Sequence, residues 1–189
     1  MDELEILFPA PVVLQAGGRS IPVLPLPARR FAAMMRAMQP VIGAFHLGTQ
    51  EVDIDALMDD PATLQIVALG IDAEPGFVAA LKRNEQLNAL LLVLGVNPDF
   101  FFPEIRDDAD TGREQLFSDT FHDLIAAGHA WREIRDYSLG QIRLFADAAG
   151  RATRERDRTA LLCARAAWSE GPLFSKLMDA LGGNGNGQQ

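Results

Sequence analysis

Two hydrophobic periods organise the chain. In residues 12–27, Val13 and Leu14 precede Gly17-Gly18, and Ile21, Val23 and Leu24 follow. Two short extended runs around a Gly-Gly turn predict a β-hairpin. Pro22, Pro25 and Pro27 have no N–H for a strand ladder, so the second strand is short, irregular or at an edge. After Pro27 the spacing changes to three and four. Phe31, Met34, Met35, Met38, Val41, Ile42 and Phe45 share one helical face. Pro40 should kink or end the first part of that helix. Residues 47–60 read as a loop with one short turn. Asp60-Pro61 then pairs a cap with a first-position proline. It opens a helix with Leu64, Val67, Ala68 and Ile71 on one side. Pro75 opens a longer helix lined by Phe77, Val78, Leu81, Leu87, Leu90, Leu91 and Leu94, which Gly95 ends.

Asn97-Pro98 repeats the cap-then-proline pattern and starts the segment NPDFFFPEI, which Pro103 stops. Residues 106–115 have one apolar member, Ala109, and read as a linker. Leu116, Phe117, Thr120, Phe121, Leu124 and Ile125 form the next stripe, ended by Gly128. A short helix over 130–137 carries Trp131 and Ile134. Ser138 caps a long helix that begins with Leu139, Ile142, Phe145, Ala146 and Ala149. Residues 150–159 are polar on nearly every side, and apolar character returns with Leu161, Leu162, Ala164, Ala167 and Trp168. Past Gly171-Pro172 a last turn carries Leu173, Phe174, Leu177, Met178 and Leu181. The tail over 182–189, Gly- and Asn-rich, should be disordered. The predicted fold is mainly α: a hairpin on a small helical bundle over 12–105, preceded by an arm over 1–11. A helical region with one long helix follows over 116–181.

Charge refines this picture. The 189 residues are 48% hydrophobic, enough for a core, and carry a net charge of −9. That balance keeps a protein soluble and argues against a broad nucleic-acid footprint. The charge is uneven: residues 139–168 hold six arginines against Asp147, Glu155 and Asp157, a local +3. Cys163 is the lone cysteine, so no intrachain disulfide is available. The N-terminus is acidic where a signal peptide is basic, and the longest strongly apolar run, 89–96, is too short to span a bilayer. These features predict a soluble intracellular protein with no membrane partner.

Candidate chemistry is sparse. QAGGRS lacks the spacing and the lysine of a phosphate loop. His122, His129 and Cys163 have no paired ligand spacing, so neither metal nor cofactor is expected. No serine or cysteine stands in a nucleophile context. Paired carboxylates such as Asp59-Asp60 and Asp107-Asp108 fall in caps and loops. The chain reads as a non-enzyme.

Three surfaces remain as candidate partner sites. Met34, Met35 and Met38 can adapt to varied apolar partners, or they face the core. Phe100, Phe101 and Phe102 cannot all enter one small core, because adjacent helical residues point about 100° apart. One should plug the core, and the others should meet a client or a neighbouring subunit. Arg151, Arg154 and Arg158 fall on one helical side, as a solvated face or a docking ridge for an acidic partner. The helix arrangement over 116–149 also invites a helix-turn-helix reading. The helix after Ser138, however, starts with few base-reading side chains.

The run GGRSIPVLPL leading to ARRF, a long leucine helix ending in GVNPDFF, and WREIRDYSLGQIRLFADAAGRATRERDRTALLCARAAWS together cover most of residues 12–170. In these segments the chain resembles the tail assembly chaperones of long non-contractile-tailed bacteriophages and prophages, in their longer version. The resemblance implies a non-virion assembly factor in the host cytoplasm. Such a factor binds the tape measure protein, keeps it soluble and helps recruit tail tube subunits. It leaves open self-association and a shorter form made by frameshifting. Two other readings are a phage structural or connector protein retained in the particle, and a small helical DNA-binding regulator.

Overall fold

The protein is described here from a computed structural model that covers residues 3–41, 54–101, 117–168, 171–172 and 175–176. It is mainly helical and carries one two-stranded antiparallel sheet among the described residues. The hairpin pairs β1 (Val12–Ala16) with β2 (Arg19–Val23) in the register Val12↔Val23 to Ala16↔Arg19. Gly17 and Gly18 close it with φ of 55° and 72°. Two positive φ angles in a two-residue loop make the turn whose twist matches paired strands, and glycine adopts them without strain. The period of two then turns Leu14, Ala16 and Val23 into the core.

Helices follow in the order α1 (Glu3–Leu7), α2 (Phe31–Met38), α3 (Ile54–Asp59), α4 (Pro61–Gly70), α5 (Pro75–Ala79), α6 (Arg83–Val96), α7 (Pro98–Phe101), α8 (Phe117–Ala126), α9 (Trp131–Ile134) and α10 (Leu139–Ala167). A 3₁₀ turn over Ala28–Arg30 leads into α2. The second apolar element ends before Pro40, as the missing N–H requires. Ile42 and Phe45 lie outside the described residues.

α4 is the centre of the bundle, with α2, α3, α5 and α6 packed around it. Asp60 caps it, its carboxylate accepting from the Ala62 N–H at 2.8 Å. Its buried side is Thr63, Ile66, Val67 and Ala68, a face turned slightly from the predicted one. α6 approaches so closely that a Cβ on Gly70 would lie 2.4 Å from both Val93 methyls. Arg83 ties α3 to α6 through Asp59 at 2.9 Å and the Asp55 carbonyl at 2.7 Å.

The long helix predicted from Pro75 is two helices. The Glu85 carboxylate takes the Lys82 N–H at 3.0 Å and the Gly17 N–H at 3.1 Å. The first bond starts a new helix after Leu81; the second clamps the hairpin turn to that helix. Those two backbone hydrogen bonds, Lys82 first, hold the Glu85 carboxyl below its ordinary 4.5. Gly95 does not end α6, which continues through Val96. Its buried face is Gln86, Ala89, Leu90 and Val93, whereas Leu91 faces solvent. With leucines all round, periodicity could not choose between faces; the hairpin and α4 do.

The chain forms two compact units, 1–145 and 146–189. The division falls inside α10 and not across 106–115, which lies outside the described residues, as does the tail over 182–189. Residues 117–145 share a unit with the hairpin for identifiable reasons. Ala28 N–H and Arg29 N–H donate to the Tyr137 and Arg135 carbonyls, both at 2.9 Å. Arg29 pairs with Asp136. Aromatic rings continue from Phe101 through Phe100, Phe31, Phe117 and Phe121 to Trp131, with neighbouring centroids 5.2–6.2 Å apart. Tyr137 and Phe145 enclose His129, whose Nδ1 is 2.9 Å from the Tyr137 hydroxyl. Burial, with Glu133 nearby, pushes the Tyr137 phenol above its ordinary 10.0.

Two outcomes test this packing. Gly70→Ala should lower unfolding free energy. Overpacking costs about 1–3 kcal/mol, which exceeds the helix-propensity gain of about 1 kcal/mol; urea unfolding measures it. Glu85→Gln should lower the melting temperature at pH 7. The carboxylate's stabilisation is complete above its unfolded pKa and disappears as pH falls through the lower folded value. Melting curves of the two proteins should therefore converge in acid.

Candidate functional site

Proline breaks the chain beside the hairpin, and those breaks leave a cleft. Pro9 and Pro25 have no N–H to extend the strands, so residues 9–10 and 25–26 leave the sheet as irregular walls. α1 runs along one side, the α6–α7 junction along another, and the first residues of α10 close the end. The cleft holds about 320 Å³. Ile6, Pro9, Val12, Pro25, Phe100 and Leu139 supply most of its apolar wall.

Glu5 stands in the wall, and the other polar side chains there, Asn97, Asp99 and Ser138, are engaged in the fold. Asn97 is buried, accepting from the Leu26 N–H and donating to the Val93 carbonyl at 2.8 Å. Ser138 and Gln141 cap α10 reciprocally. The Ser138 Oγ accepts from the Gln141 N–H at 3.2 Å, and the Gln141 side chain accepts from the Ser138 N–H at 2.9 Å. Gln141 also donates to the Leu7 carbonyl at 3.0 Å, which holds α1 in place. Asp99 pairs with Arg143 at 3.3 Å. A Cβ on Gly140 would stand 3.3 Å from Ile6, so the small residue sets how closely α10 meets α1. A visiting group therefore meets mainly hydrocarbon, which suits an apolar side chain of another chain.

The candidate residues divide among different places. Phe100 lines the cleft, while Phe101 is 2% exposed and plugs the core. Phe102 lies outside the described residues. Met34 and Met38 are buried and belong to the core, so the methionine groove reduces to Met35, which is exposed. The helical period put all three on one apolar side, but the fold buries two of them and leaves Met35 at the surface. Arg151, Arg154 and Arg158 are exposed on α10 in the unit 146–189, and Arg158 lies 4.0 Å from Glu155. Sequence reasoning missed Ile6 and Leu139 as site residues because α1 was read as an arm. Pro25 is legible there only as a residue with no N–H for the ladder, and Pro9 carries no reading. The alternation of proline with apolar residues in FPAPVV and PVLPLP was the available signal. No protein-family model, curated protein or solved structure matches the chain.

Val12, 42% exposed, lies in the cleft wall, and Val13 lies outside it. Val12→Glu should weaken binding of an apolar fluorescent dye, while Val13→Glu should leave it near the wild-type level. Both should fold, since exposed substitutions usually cost within about 0.5 kcal/mol. Dye titration with circular dichroism measures both parts.

Proposed function

We propose that this protein is a non-catalytic tail assembly chaperone of a long non-contractile-tailed phage or prophage. It binds the tape measure protein in the host cytoplasm, keeps it soluble, helps recruit tail tube subunits, and is left out of the mature particle. The resemblance in segments that cover most of residues 12–170 supports the choice of family. The observation that carries the reading is the cleft, whose wall is mainly hydrocarbon and whose Asn97, Asp99 and Ser138 are committed to the fold. A tape measure protein is a long helical chain that presents apolar stripes before a tube encloses it. A chaperone for it needs shallow apolar sites of modest affinity in many copies more than one tight site. Phe100, Val12 and Leu139 provide such a site, and the net charge of −9 opposes aggregation of the loaded complex.

Co-expression with a phage tape measure protein tests the reading. The client should move from the pellet to the supernatant with the wild-type protein and remain in the pellet with Val12→Glu. Purified particles should lack the protein by mass spectrometry. A client that is insoluble with either form, or stoichiometric protein in the particle, would reject the chaperone role.

A further inference from the structure

The arginine ridge has an apolar component that spacing within 150–159 does not reveal. Arg154, Arg158, Leu161, Arg165 and Trp168 follow one another at intervals of four, three, four and three. Four of them lie in α10, and Trp168 continues its last turn through a bond from its N–H to the Arg165 carbonyl at 3.3 Å. That interval keeps residues on one side of a helix, and it is the seam along which a second helix packs. Leu162 lies beside the seam. Leu161 is 72% exposed and Trp168 is 93% exposed. Arg154, Asp157, Arg158, Leu161, Leu162 and Arg165 border a shallow depression of about 400 Å³.

We propose that this face binds an acidic amphipathic helix of a partner protein. Tryptophan and arginine are the residue types that most often dominate binding energy, and both stand here around two exposed leucines. Three arginines against Asp157 and Glu155, which lies 4.0 Å from Arg158, leave the face with a net positive charge, so its complement carries carboxylates beside its apolar residues. Residues 1–145 hold 21 carboxylate side chains against 11 basic ones, a net −10, while 146–189 have a net +1. The net charge of −9 on the whole chain opposes association with an extended polyanion, whether an anionic bilayer or a nucleic acid. A short acidic helix covers the seam alone. From Arg154 to Arg165 the rise is about 16 Å, or three turns, which sets the partner segment at about twelve residues. The proposal stands independently of the chaperone reading.

The test uses the full chain with Trp131→Phe, in which Trp168 is the remaining tryptophan. The probe is a synthetic helical peptide with leucines at heptad spacing and flanking glutamates. Trp168 emission should shift to the blue on titration, and affinity should fall as salt rises because exposed charges are screened beyond about 8–10 Å. Leu161→Asp should weaken binding by about tenfold, or about 1.4 kcal/mol. Joint reversal of Arg154, Arg158 and Arg165 to Glu should do the same, and circular dichroism should show the helix retained in both. No shift with the acidic peptide overturns the proposal. So does an equal shift with a lysine-substituted peptide, or stronger binding to phosphatidylglycerol vesicles or duplex DNA. A concentration-dependent dimer without peptide, abolished by Leu161→Asp, assigns the face to a second copy and also overturns it.

Discussion

One buried side chain sets the geometry on which the cleft depends. Asn97 accepts the Leu26 N–H as the chain leaves the hairpin and donates to the Val93 carbonyl at the end of α6. The two segments are 71 residues apart. An unpaired buried donor or acceptor costs about 1–3 kcal/mol, so replacing this amide by hydrocarbon would strand polar groups on both sides. The bond also fixes direction. It brings the proline-broken stretch at 25–26 against the α6–α7 junction, which turns Phe100 toward the cleft and Phe101 toward the core. Arrangement of an apolar wall therefore depends on a polar contact beneath it.

The same logic recurs at the other joins. Glu85 fastens the hairpin turn to the start of α6, and Gln141 fastens α1 to the start of α10. Ala28 and Arg29 fasten the 3₁₀ turn to the segment before α10. Each uses helix-terminal or turn groups that have no partner within their own element. Apolar burial gives the bundle its stability, but these few directed bonds choose which elements meet. α4 could sit among many helices; the close approach at Gly70 and Val93 selects α6 as a neighbour.

Local signals in the sequence were strong where local chemistry decides. Gly17-Gly18 made the hairpin legible, Asp60-Pro61 and Asn97-Pro98 marked helix starts, and Ser138 marked the cap of the long helix. Legibility failed where a distant partner decides. Lys82 resembles an interior helical residue until Glu85 takes its N–H. Met34, Met35 and Met38 share a helical side, yet tertiary packing buries Met34 and Met38 and leaves Met35 exposed. The leucines of α6 cover most of its circumference, so only the hairpin and α4 show which side is buried. The cleft was illegible as a unit because its walls come from four distant stretches. The exposed seam on α10 was half legible: its arginines stood out by charge, whereas Leu161 and Trp168 read as the return of a core.

The central claim is that the cleft assembled around Asn97 receives an apolar segment of the client. Hydrogen–deuterium exchange of the protein with and without co-purified client addresses it directly. Binding in the cleft should slow exchange together in residues 5–12, 95–100 and 138–140, with little change over α3 and α4. Unchanged exchange in those three stretches, with protection appearing elsewhere in the chain, would contradict it.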